Sequence, residues 1–474
     1  MKIKQVPFLA IAILAAALLS SCADLIVSNL AYSPSNLTTK SEITFSADVE
    51  NIGTSASGPS ILSFKVGGET HPELYDVPPL DSGETFTVER DVYLNVAQNY
   101  LNTVTADAGD NVRELNEDNN EATLSYRVAG SPEYFAGVYY YPWHGTDFHG
   151  GEYLRERLVP QQAPELGEYN DRDPSVLGQH LDWSRFAGIQ FWITSWWGPG
   201  DRTDITTRDH ILTHSDIGDV KIALFYETVG RTNEFADYAS IGPDIAYIAE
   251  NYFDHPNYLR VDGKPVLFVY LTRVLSHKGT LGSTLDTMRT TAADAGHQIY
   301  IVGDHAFGSP PSSVGDIALL DAITNYDVYG AMGKIGYATQ ASVDSYYADQ
   351  SGWKNLAGGA GVRFIPSAAP GFNDKAVRDG HEPLSRKLNA DSEFGSLFLA
   401  MVIGAKGQVD PDIDNMLMVT SWNEWHEDTQ IEPVAAASIT STDDSPLGTE
   451  ITLGLEYEGY EDRYLEILHN EIDP

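Results

Sequence analysis

The sequence predicts a multidomain protein in which an N-terminal all-β immunoglobulin-like sandwich precedes an α/β (β/α)8 TIM barrel. Two observations support this prediction. Roughly a hundred residues near the N-terminus contain about seven short alternating segments separated by turn residues. The remainder alternates apolar strand-like runs with helical stretches. A chain of 474 residues is long enough for two domains with separate cores.

The N-terminal residues predict a targeting signal. Met1–Lys4 is basic, and the apolar run Phe8–Leu19 is too short for a comfortable membrane span. The run leads into Leu19-Ser20-Ser21-Cys22, which resembles the lipobox of bacterial lipoproteins. Cys22 is the only cysteine of the chain. The resemblance implies a signal peptide over residues 1–21, lipidation of Cys22, and a lipid anchor in the bacterial cell envelope, at the outer membrane or cell surface. The alternative is an ordinary secretory signal with an incidental cysteine.

Residues 22–129 form the predicted β-sandwich. Apolar and polar residues alternate from Ile43 to Val49, as in a half-buried strand. Further strand-like runs are Ile61–Val66, Phe86–Val92 and Ala122–Val128. The segment Asp107–Glu121, rich in Asp, Asn and Glu, together with Asp24-Leu25 and Val49–Gly53, resembles the CARDB family of bacterial surface modules. The oxygen-rich segment suits either a structural Ca²⁺ ion or a polar hairpin whose Asn and Asp residues form turns.

The second domain spans residues 130–474, after the linker Ala129-Gly130-Ser131-Pro132. Eight apolar runs predict its strands: Phe135–Tyr141, Ile189–Ser195, Val220–Tyr226, Val266–Tyr270, Ile299–Val302, Ala322–Tyr326, Phe364–Ala368 and Met416–Thr420. Helices are predicted between these strands. One is indicated by the helical spacing of Leu281, Leu285, Met288 and Ala292, and another begins near Pro243. A doubly wound sheet is the alternative, but no glycine-rich phosphate loop follows the first strand.

Aromatic and acidic residues recur where these strands end. Tyr141, Trp143 and His144 follow the first strand, Trp196 and Trp197 the second, Glu227 the third, Tyr270 the fourth and Tyr326 the sixth. The eighth strand runs into Ser421–Pro433, which contains Asn423, Glu424, Trp425, His426, Glu427 and Glu432. Barrel enzymes place their active sites at this rim. Since carboxylates transfer protons and aromatic faces stack on sugar rings, the rim predicts a sugar-cleaving site.

Composition and motif spacing exclude several other classes of function. A net charge of -39 argues against nucleic acid and anionic membrane surfaces as partners, because both would repel the chain. No paired-histidine spacing supports a zinc hydrolase, and Ser195 lacks the Gly-x-Ser-x-Gly context of a serine esterase. We therefore expect no catalytic metal or cofactor, and nothing in the sequence calls for an oligomer.

The domain resembles glycoside hydrolase family 99, the endo-α-mannosidases and endo-α-mannanases. The resemblance rests on Phe253–Arg260, Gly263–Val266, Ala369–Phe372 and above all on Ser421–Pro433, and it covers most of the domain. It implies a retaining reaction in which Glu424 deprotonates the 2-hydroxyl of an α-mannoside. The resulting oxygen attacks the anomeric carbon and forms a 1,2-anhydro sugar. Glu427 protonates the leaving oxygen and then activates the water that opens the epoxide.

The resemblance implies further roles. Glu227 would contact sugar hydroxyls, Tyr326 would lie near the reacting sugar, and Asn423 and His426 would orient the glutamates or the substrate. The predicted substrate-binding set is Tyr141, Trp143, His144, Trp196, Trp197, Glu227, Tyr270, Tyr326, Asn423, Trp425 and His426. The predicted substrate is an α-mannan polysaccharide. The alternatives are another α-linked polysaccharide, a transferase-like biosynthetic relative, or a glycan-binding surface lipoprotein without catalysis.

Two positions depart from the family pattern. Asp428 stands where the family usually has glycine, and a carboxylate beside Glu427 would raise the pKa of Glu427 or widen the choice of substrate. Tyr270-Leu271-Thr272-Arg273 replaces the family's Tyr-Asp-Ser-Tyr after the fourth strand. The reaction type is therefore predicted more firmly than the sugar.

Overall fold

The computed structural model describes residues 22–34, 37–39, 41–94, 96–128, 133–146, 148 and 153–473. These residues divide into two compact units, one ending at Val128 and one beginning at Glu133. The predicted signal peptide (1–21) and linker (129–132) lie outside the described residues. Within the described ranges, no helix has the length and apolar character needed to cross a membrane.

The first unit is the predicted β-sandwich. Its seven strands are β1 Leu25–Ser33, β2 Glu42–Asn51, β3 Ser60–Lys65, β4 Glu73–Val77, β5 Thr85–Tyr93, β6 Gln98–Thr105 and β7 Glu121–Val128. They form two antiparallel sheets in the orders β1-β2-β5 and β4-β3-β6-β7. The alternating residues Ile43, Phe45, Ala47 and Val49 of β2 are fully buried, as their spacing predicted.

Hydrogen bonds within this unit organise the oxygen-rich segment. The Asp107 carboxylate accepts from the backbone of Asn111 and Val112, at 3.1 and 2.7 Å. Glu114 accepts from the backbone of Leu25 at 2.5 Å. In the part of the chain that the structure describes, no group of three or more His, Cys, Asp or Glu residues is arranged to hold a metal ion. These contacts are those of a polar hairpin, and Ca²⁺ binding stays a prediction.

The second unit is a parallel barrel of the TIM type. Its strands are β8 Phe135–Tyr140, β9 Ile189–Trp196, β10 Lys221–Tyr226, β12 Lys264–Val269, β13 Tyr300–Asp304, β14 Ala322–Thr324, β15 Arg363–Ile365, β16 Ser367–Ala368 and β17 Met416–Val419. They follow one another as β15-β14-β13-β12-β10-β9-β8-β17-β16. Because β15 and β16 are consecutive segments separated only by Pro366, the two ends of this order meet and the barrel is nearly closed. All eight predicted strands are therefore present, with the seventh divided.

Helices and short strands surround the barrel. The helices are α1 Pro174–Phe186, α2 Arg202–Thr206, α3 Thr228–Arg231, α4 Ile241–Ile248, α5 Thr272–His277, α6 Leu281–Asp294, α7 Val328–Met332, α8 Gln340–Gly358, α9 Ser396–Lys406 and α10 Arg463–Ile472. The short strand β11 Arg260–Val261 pairs with β12, and β18 Val434–Thr440 pairs with β19 Tyr457–Glu461. Helix α6 buries Leu281, Leu285, Met288 and Ala292, the four residues whose spacing predicted it.

Aromatic side chains fill the barrel interior. The ring of Tyr139 lies 4.9 Å from the ring of Phe225, 6.2 Å from Phe268 and 4.9 Å from Tyr326, centroid to centroid. Beside them Gly137 has no room for a side chain, since a Cβ there would lie 2.1 Å from the Phe191 ring. This packed interior gives the residues at the C-terminal strand ends a rigid base.

Candidate active site

The segment after β17 turns back over the end of the barrel. Trp425–Glu427 forms a 3₁₀ turn, and Glu424 caps it by accepting a hydrogen bond from the backbone of His426 at 3.0 Å. The hydroxyl of Ser421 accepts from the Glu424 backbone at 2.9 Å. The His426 ring nitrogen Nδ1 lies 3.2 Å from the same Glu424 oxygen. The Glu424 carboxyl is thus fixed by its own segment, with only 3 % of the residue exposed.

Glu427 lines an open pocket of about 390 Å³ beside this turn. Its side chain is 19 % exposed and lies 3.2 Å from a guanidinium nitrogen of Arg378. Burial and the negative charge of Glu424, partly opposed by Arg378, together raise the pKa of Glu427 to about 8. At neutral pH the Glu427 carboxyl therefore holds a proton that it can donate.

Glu227 contributes a third carboxyl from the end of β10. It is almost fully buried and accepts a hydrogen bond of 2.7 Å from the Ser195 hydroxyl. The Trp197 indole nitrogen donates to that hydroxyl at 2.9 Å. Burial, reinforced by the charges of Glu424 and Glu427, raises the pKa of Glu227 to about 8. The hydrogen bond from Ser195 acts in the opposite direction. The three glutamates therefore share one electrostatic environment, although they come from two strand ends.

Two tyrosines lie among these carboxyls. The hydroxyls of Tyr141 and Tyr326 are hydrogen-bonded to each other. Burial raises the pKa of both phenols well above the ordinary tyrosine value, and the charges of Glu424 and Glu427 act in the same direction on both. The ring of Tyr326 also contacts Tyr270, at 5.5 Å between centroids. The structure thus brings together three predicted tyrosines and three predicted glutamates.

Several predicted binding residues lie behind the pocket and support it. Asn423 holds the first strand end, since its side chain accepts from the Tyr141 backbone at 2.7 Å and donates to the Tyr141 carbonyl at 3.0 Å. The buried ring of His144 contacts the Asn423 carbonyl through Nε2 at 3.1 Å. Trp143 packs on Tyr141 and edge-on against His426. His144 and Asn423 accordingly orient Ser421–Pro433, the candidate catalytic segment (hereafter the catalytic segment), from a buried position.

Two tryptophans of the predicted substrate-binding set, Trp196 and Trp425, are buried away from the pocket. Trp196 is completely buried, stacks on Tyr226 and donates its indole N–H to Asp204 at 3.0 Å. Adjacent residues on a strand point to opposite faces, so the Ser195 side chain reaches Glu227 while that of Trp196 packs outward against helix α2. Trp425 is also buried and donates to Glu432 at 2.9 Å. Trp197, 36 % exposed, is the member of the Trp pair that presents a face to solvent.

Glu432 makes structural contacts beneath the pocket. Its carboxylate is fully buried and receives hydrogen bonds from Tyr169 at 2.8 Å and Trp425 at 2.9 Å. The His180 ring nitrogen Nε2 lies 3.0 Å from its other oxygen. Since His180 lies on helix α1, its contact ties the end of the catalytic segment to that helix.

Asp428 is paired with two arginines, and its effect on the choice of substrate stays a prediction. Burial alone would raise the pKa of Asp428, but Arg155 and Arg386 hold it below its usual value. Their Nε atoms lie 2.6 and 3.2 Å from its two carboxylate oxygens. Because two guanidiniums neutralise its charge, Asp428 is not among the largest influences on the pKa of Glu427.

Part of the pocket lacked a signal in the sequence. Its lining also contains Tyr329 and Phe372, whose rings are stacked at 3.9 Å, together with Arg378 and His381. Asp327, whose pKa is raised by burial, also faces the pocket. Asp327 directly follows Tyr326 at a strand end, which is a usable signal. Arg378 and His381 lie in a long loop without a motif.

A parallel barrel that gathers three carboxyls and several aromatic rings at its C-terminal rim defines a glycoside hydrolase. The family model for Glycosyl hydrolase family 99 matches residues 138–453, and the chain belongs to that family. The CARDB family model matches residues 22–124, which makes the first unit a CARDB domain. The barrel is therefore the enzyme portion of the protein, and the family predicted from Ser421–Pro433 is confirmed.

Curated relatives and a solved structure agree with this assignment. The chain is 25 % identical over 349 residues to glycoprotein endo-alpha-1,2-mannosidase of Mus musculus, covering 65 % of this chain and 70 % of that protein. It is 26 % identical to a glycoprotein endo-alpha-1,2-mannosidase-like protein of Danio rerio, covering 70 % and 76 %. The family 99 endo-alpha-mannosidase from Bacteroides thetaiotaomicron has a similar fold, with a TM-score of 0.51, 22 % identity, and coverage of 71 % of this chain and 95 % of that one.

Proposed function

We propose that the protein is an endo-acting, retaining glycoside hydrolase that cleaves α-mannosidic linkages in a mannan-type polysaccharide. The observation that carries the proposal is the pairing of Glu424 and Glu427 on one turn, with Glu427 open to the pocket and its pKa raised to about 8. The names of the curated relatives support α-mannoside as the substrate class.

In the proposed reaction the two glutamates have different tasks. Glu424, fixed by His426, takes the proton of the 2-hydroxyl as that oxygen bonds to the anomeric carbon. Glu427 gives its proton to the leaving glycosidic oxygen as the bond to the anomeric carbon breaks. Glu427, now a carboxylate, then removes a proton from water, whose oxygen opens the 1,2-anhydro sugar, and the 2-oxygen regains a proton from Glu424. The protons balance over the two steps, and no metal or cofactor takes part.

The other gathered groups would bind the substrate. Glu227, protonated at neutral pH, is able to donate a hydrogen bond to a sugar hydroxyl while it accepts one from Ser195. The hydroxyls of Tyr141 and Tyr326 lie among the three glutamates. The exposed part of Trp197 offers an apolar face to a sugar ring.

Products formed from α-mannan oligosaccharides test this function. We expect internal cleavage into fragments of several sugars. The first-formed product should retain the α configuration, which NMR of the anomeric protons can detect. An inverted product would exclude the anhydro-sugar route. Release of single sugars from the chain end would exclude endo action. Cleavage of a different α-linked glycan, with α-mannan untouched, would move the substrate and leave the reaction class in place.

We also propose that the enzyme is anchored to the bacterial cell surface through a lipid on Cys22, with the CARDB domain between the lipid and the barrel. The CARDB family match supports this arrangement because it begins at residue 22. The Cys22 carbonyl accepts a hydrogen bond from the Thr54 backbone at 3.0 Å, and Ala23 pairs with Glu114. The net charge of -39 favours a lipid anchor over binding to anionic headgroups.

Substitution Cys22→Ala in the full chain tests the anchor. In a bacterial host fed radiolabelled palmitate, we expect the unsubstituted chain to incorporate label and to partition with membranes. The Cys22→Ala chain should lose both properties, because the chain has no other cysteine. Membrane partitioning of the Cys22→Ala chain without label would contradict the lipid anchor. Ser21→Ala is the matched control and should be lipidated.

A further inference from the structure

Arg378 contacts the carboxyl of Glu427 and lies outside the catalytic segment. It belongs to the loop that follows β16, and one of its guanidinium nitrogens lies 3.2 Å from Glu427 Oε1. The backbone of the same loop is joined to the catalytic segment, since Asn373 donates its N–H to the Glu427 carbonyl at 2.7 Å. Arg378 therefore approaches Glu427 from the pocket side.

Asp374 keeps Arg378 in this place. The fully buried Asp374 carboxylate accepts from the guanidinium at 2.8 Å and from the His381 ring at 2.8 Å. Arg378 itself is 51 % exposed. Asp374 gives it a permanent ion pair that does not depend on Glu427. Its positive charge thus remains beside Glu427 whether Glu427 is protonated or ionised.

We propose that Arg378 is a positioning residue that orients the Glu427 carboxyl toward the pocket and stabilises its ionised form after it has given up its proton. This inference rests on the proposed function, in which Glu427 alternates between acid and base. A fixed cation favours the carboxylate over the neutral acid. It therefore helps the proton to leave in the first step and supports the carboxylate that activates water in the second.

The surroundings of Glu427 make this cation necessary. The groups that face it are Glu424 on its own segment, Glu227 after β10, Asp327 after β14, and the hydroxyls of Tyr141, Tyr270 and Tyr326. Arg273 lies behind Asp327, at 3.8 Å. Among the described residues, Arg378 forms the one ion pair of Glu427. Without Arg378, Glu427 would be surrounded by acidic groups and would be a weaker acid.

The pH dependence of kcat/KM for cleavage of an α-mannan oligosaccharide tests the proposal. In the unsubstituted enzyme, Glu427 must be protonated to act as the acid, so activity should fall as the pH rises through about 8. For Arg378→Gln we expect this alkaline limb to move upward by about one pH unit, since an opposite charge within hydrogen-bonding distance has been removed. Arg378→Lys should retain the original limb.

Arg363→Gln is the matched control. Arg363 is similarly exposed and ion-paired to Asp412, but it begins β15 and so lies at the opposite end of the barrel. Its substitution should leave the pH profile unchanged. Lower activity of Arg378→Gln without movement of the alkaline limb would overturn the proposal and indicate a merely structural contact. Arg378→Met should give the same upward movement of the alkaline limb. It replaces Arg378→Gln if the Gln side chain itself hydrogen-bonds to Glu427.

A measurement without substrate separates this inference from the proposed function. Carbon-13 NMR of side-chain-labelled glutamate, with the Glu427 signal assigned by its loss in Glu427→Gln, reports the titration of Glu427 directly. The titration midpoint should rise in Arg378→Gln even if α-mannan proves to be the wrong substrate. An unchanged midpoint would contradict the role of Arg378 whatever the enzyme cleaves.

Discussion

Glu424→Gln and Glu427→Gln should each lower kcat/KM on α-mannan oligosaccharides by about 10³-fold, since positioned acid–base groups contribute on that order. Glutamine is nearly the same size as glutamate and keeps a hydrogen-bonding side chain, but it can neither accept nor donate the transferred proton. Glu424 is held by the His426 backbone, and Glu427 lies at the pocket with a raised pKa. Initial-rate measurements at pH 7 give the comparison.

The leaving group distinguishes the two roles. An α-mannosyl fluoride needs no protonation to depart, so Glu427→Gln should regain much of its first-step rate on that substrate. Glu424→Gln should stay inactive, because the 2-hydroxyl still has to lose its proton. The opposite pattern would exchange the assignments of the two glutamates.

Two further variants make the result specific. Glu456→Gln should keep full activity, because Glu456 is half-exposed and its buried partner Lys387 also donates to the Ala390 carbonyl at 2.7 Å. The double substitution of Glu424 and Glu427 should be scarcely worse than either single one, since groups that act as a unit are strongly non-additive. Near-normal activity in either single variant would remove that glutamate from the mechanism.

Strand and helix positions were predictable because they depend on local patterns. Alternation in β2 and helical spacing in α6 place apolar residues on one face, and burial follows directly. The eight barrel strands appeared as uninterrupted apolar runs because parallel strands are covered on both faces. The break at Pro366 is the exception, since proline lacks the N–H that a continuous strand would use there.

Side-chain direction at the strand ends was less predictable. Trp196 and Trp197 are neighbours with equal chemistry, and only the register of β9 decides that Trp196 packs against Tyr226 and Trp197 remains partly exposed. The Asp428 contacts were beyond reach for another reason. Its partners Arg155 and Arg386 lie 273 and 42 residues away in the chain, and no short motif joins them. Arg378 was invisible for the same reason.

Asp428 occupies a backbone conformation that favours glycine. Its φ of 47° lies in the left-handed region, where a side chain is disfavoured by about 1 kcal/mol or more. The ion pairs with Arg155 and Arg386 offset this cost. Arg386 also donates to the carbonyls of Asp428 and Gln430, at 2.7 and 2.9 Å. The ring of Tyr460 lies 4.8 Å from one guanidinium and 5.0 Å from the other.

Asp428→Gly should therefore destabilise the protein although glycine suits the backbone. It would leave two almost fully buried guanidiniums without their carboxylate, and removal of one partner of a buried ion pair costs about 3–5 kcal/mol. We expect the Tm to fall by roughly 10 °C, measured by differential scanning calorimetry. Asp182→Asn, which breaks the exposed pair with Arg185, should cost at most about 1 kcal/mol.

A rescue variant tests the cause of this destabilisation. Asp428→Gly combined with Arg155→Met and Arg386→Met removes all three charges while it keeps much of the apolar packing around Tyr460, so it should regain a large part of the lost stability. If the triple variant were as unstable as Asp428→Gly, unpaired charge would not be the reason. An unchanged Tm in Asp428→Gly alone would mean that solvent or another group replaces the carboxylate. If the triple variant regains stability, Asp428, Arg155 and Arg386 form one energetically coupled set. Glycine at position 428 is then tolerated only when the two arginines are also replaced.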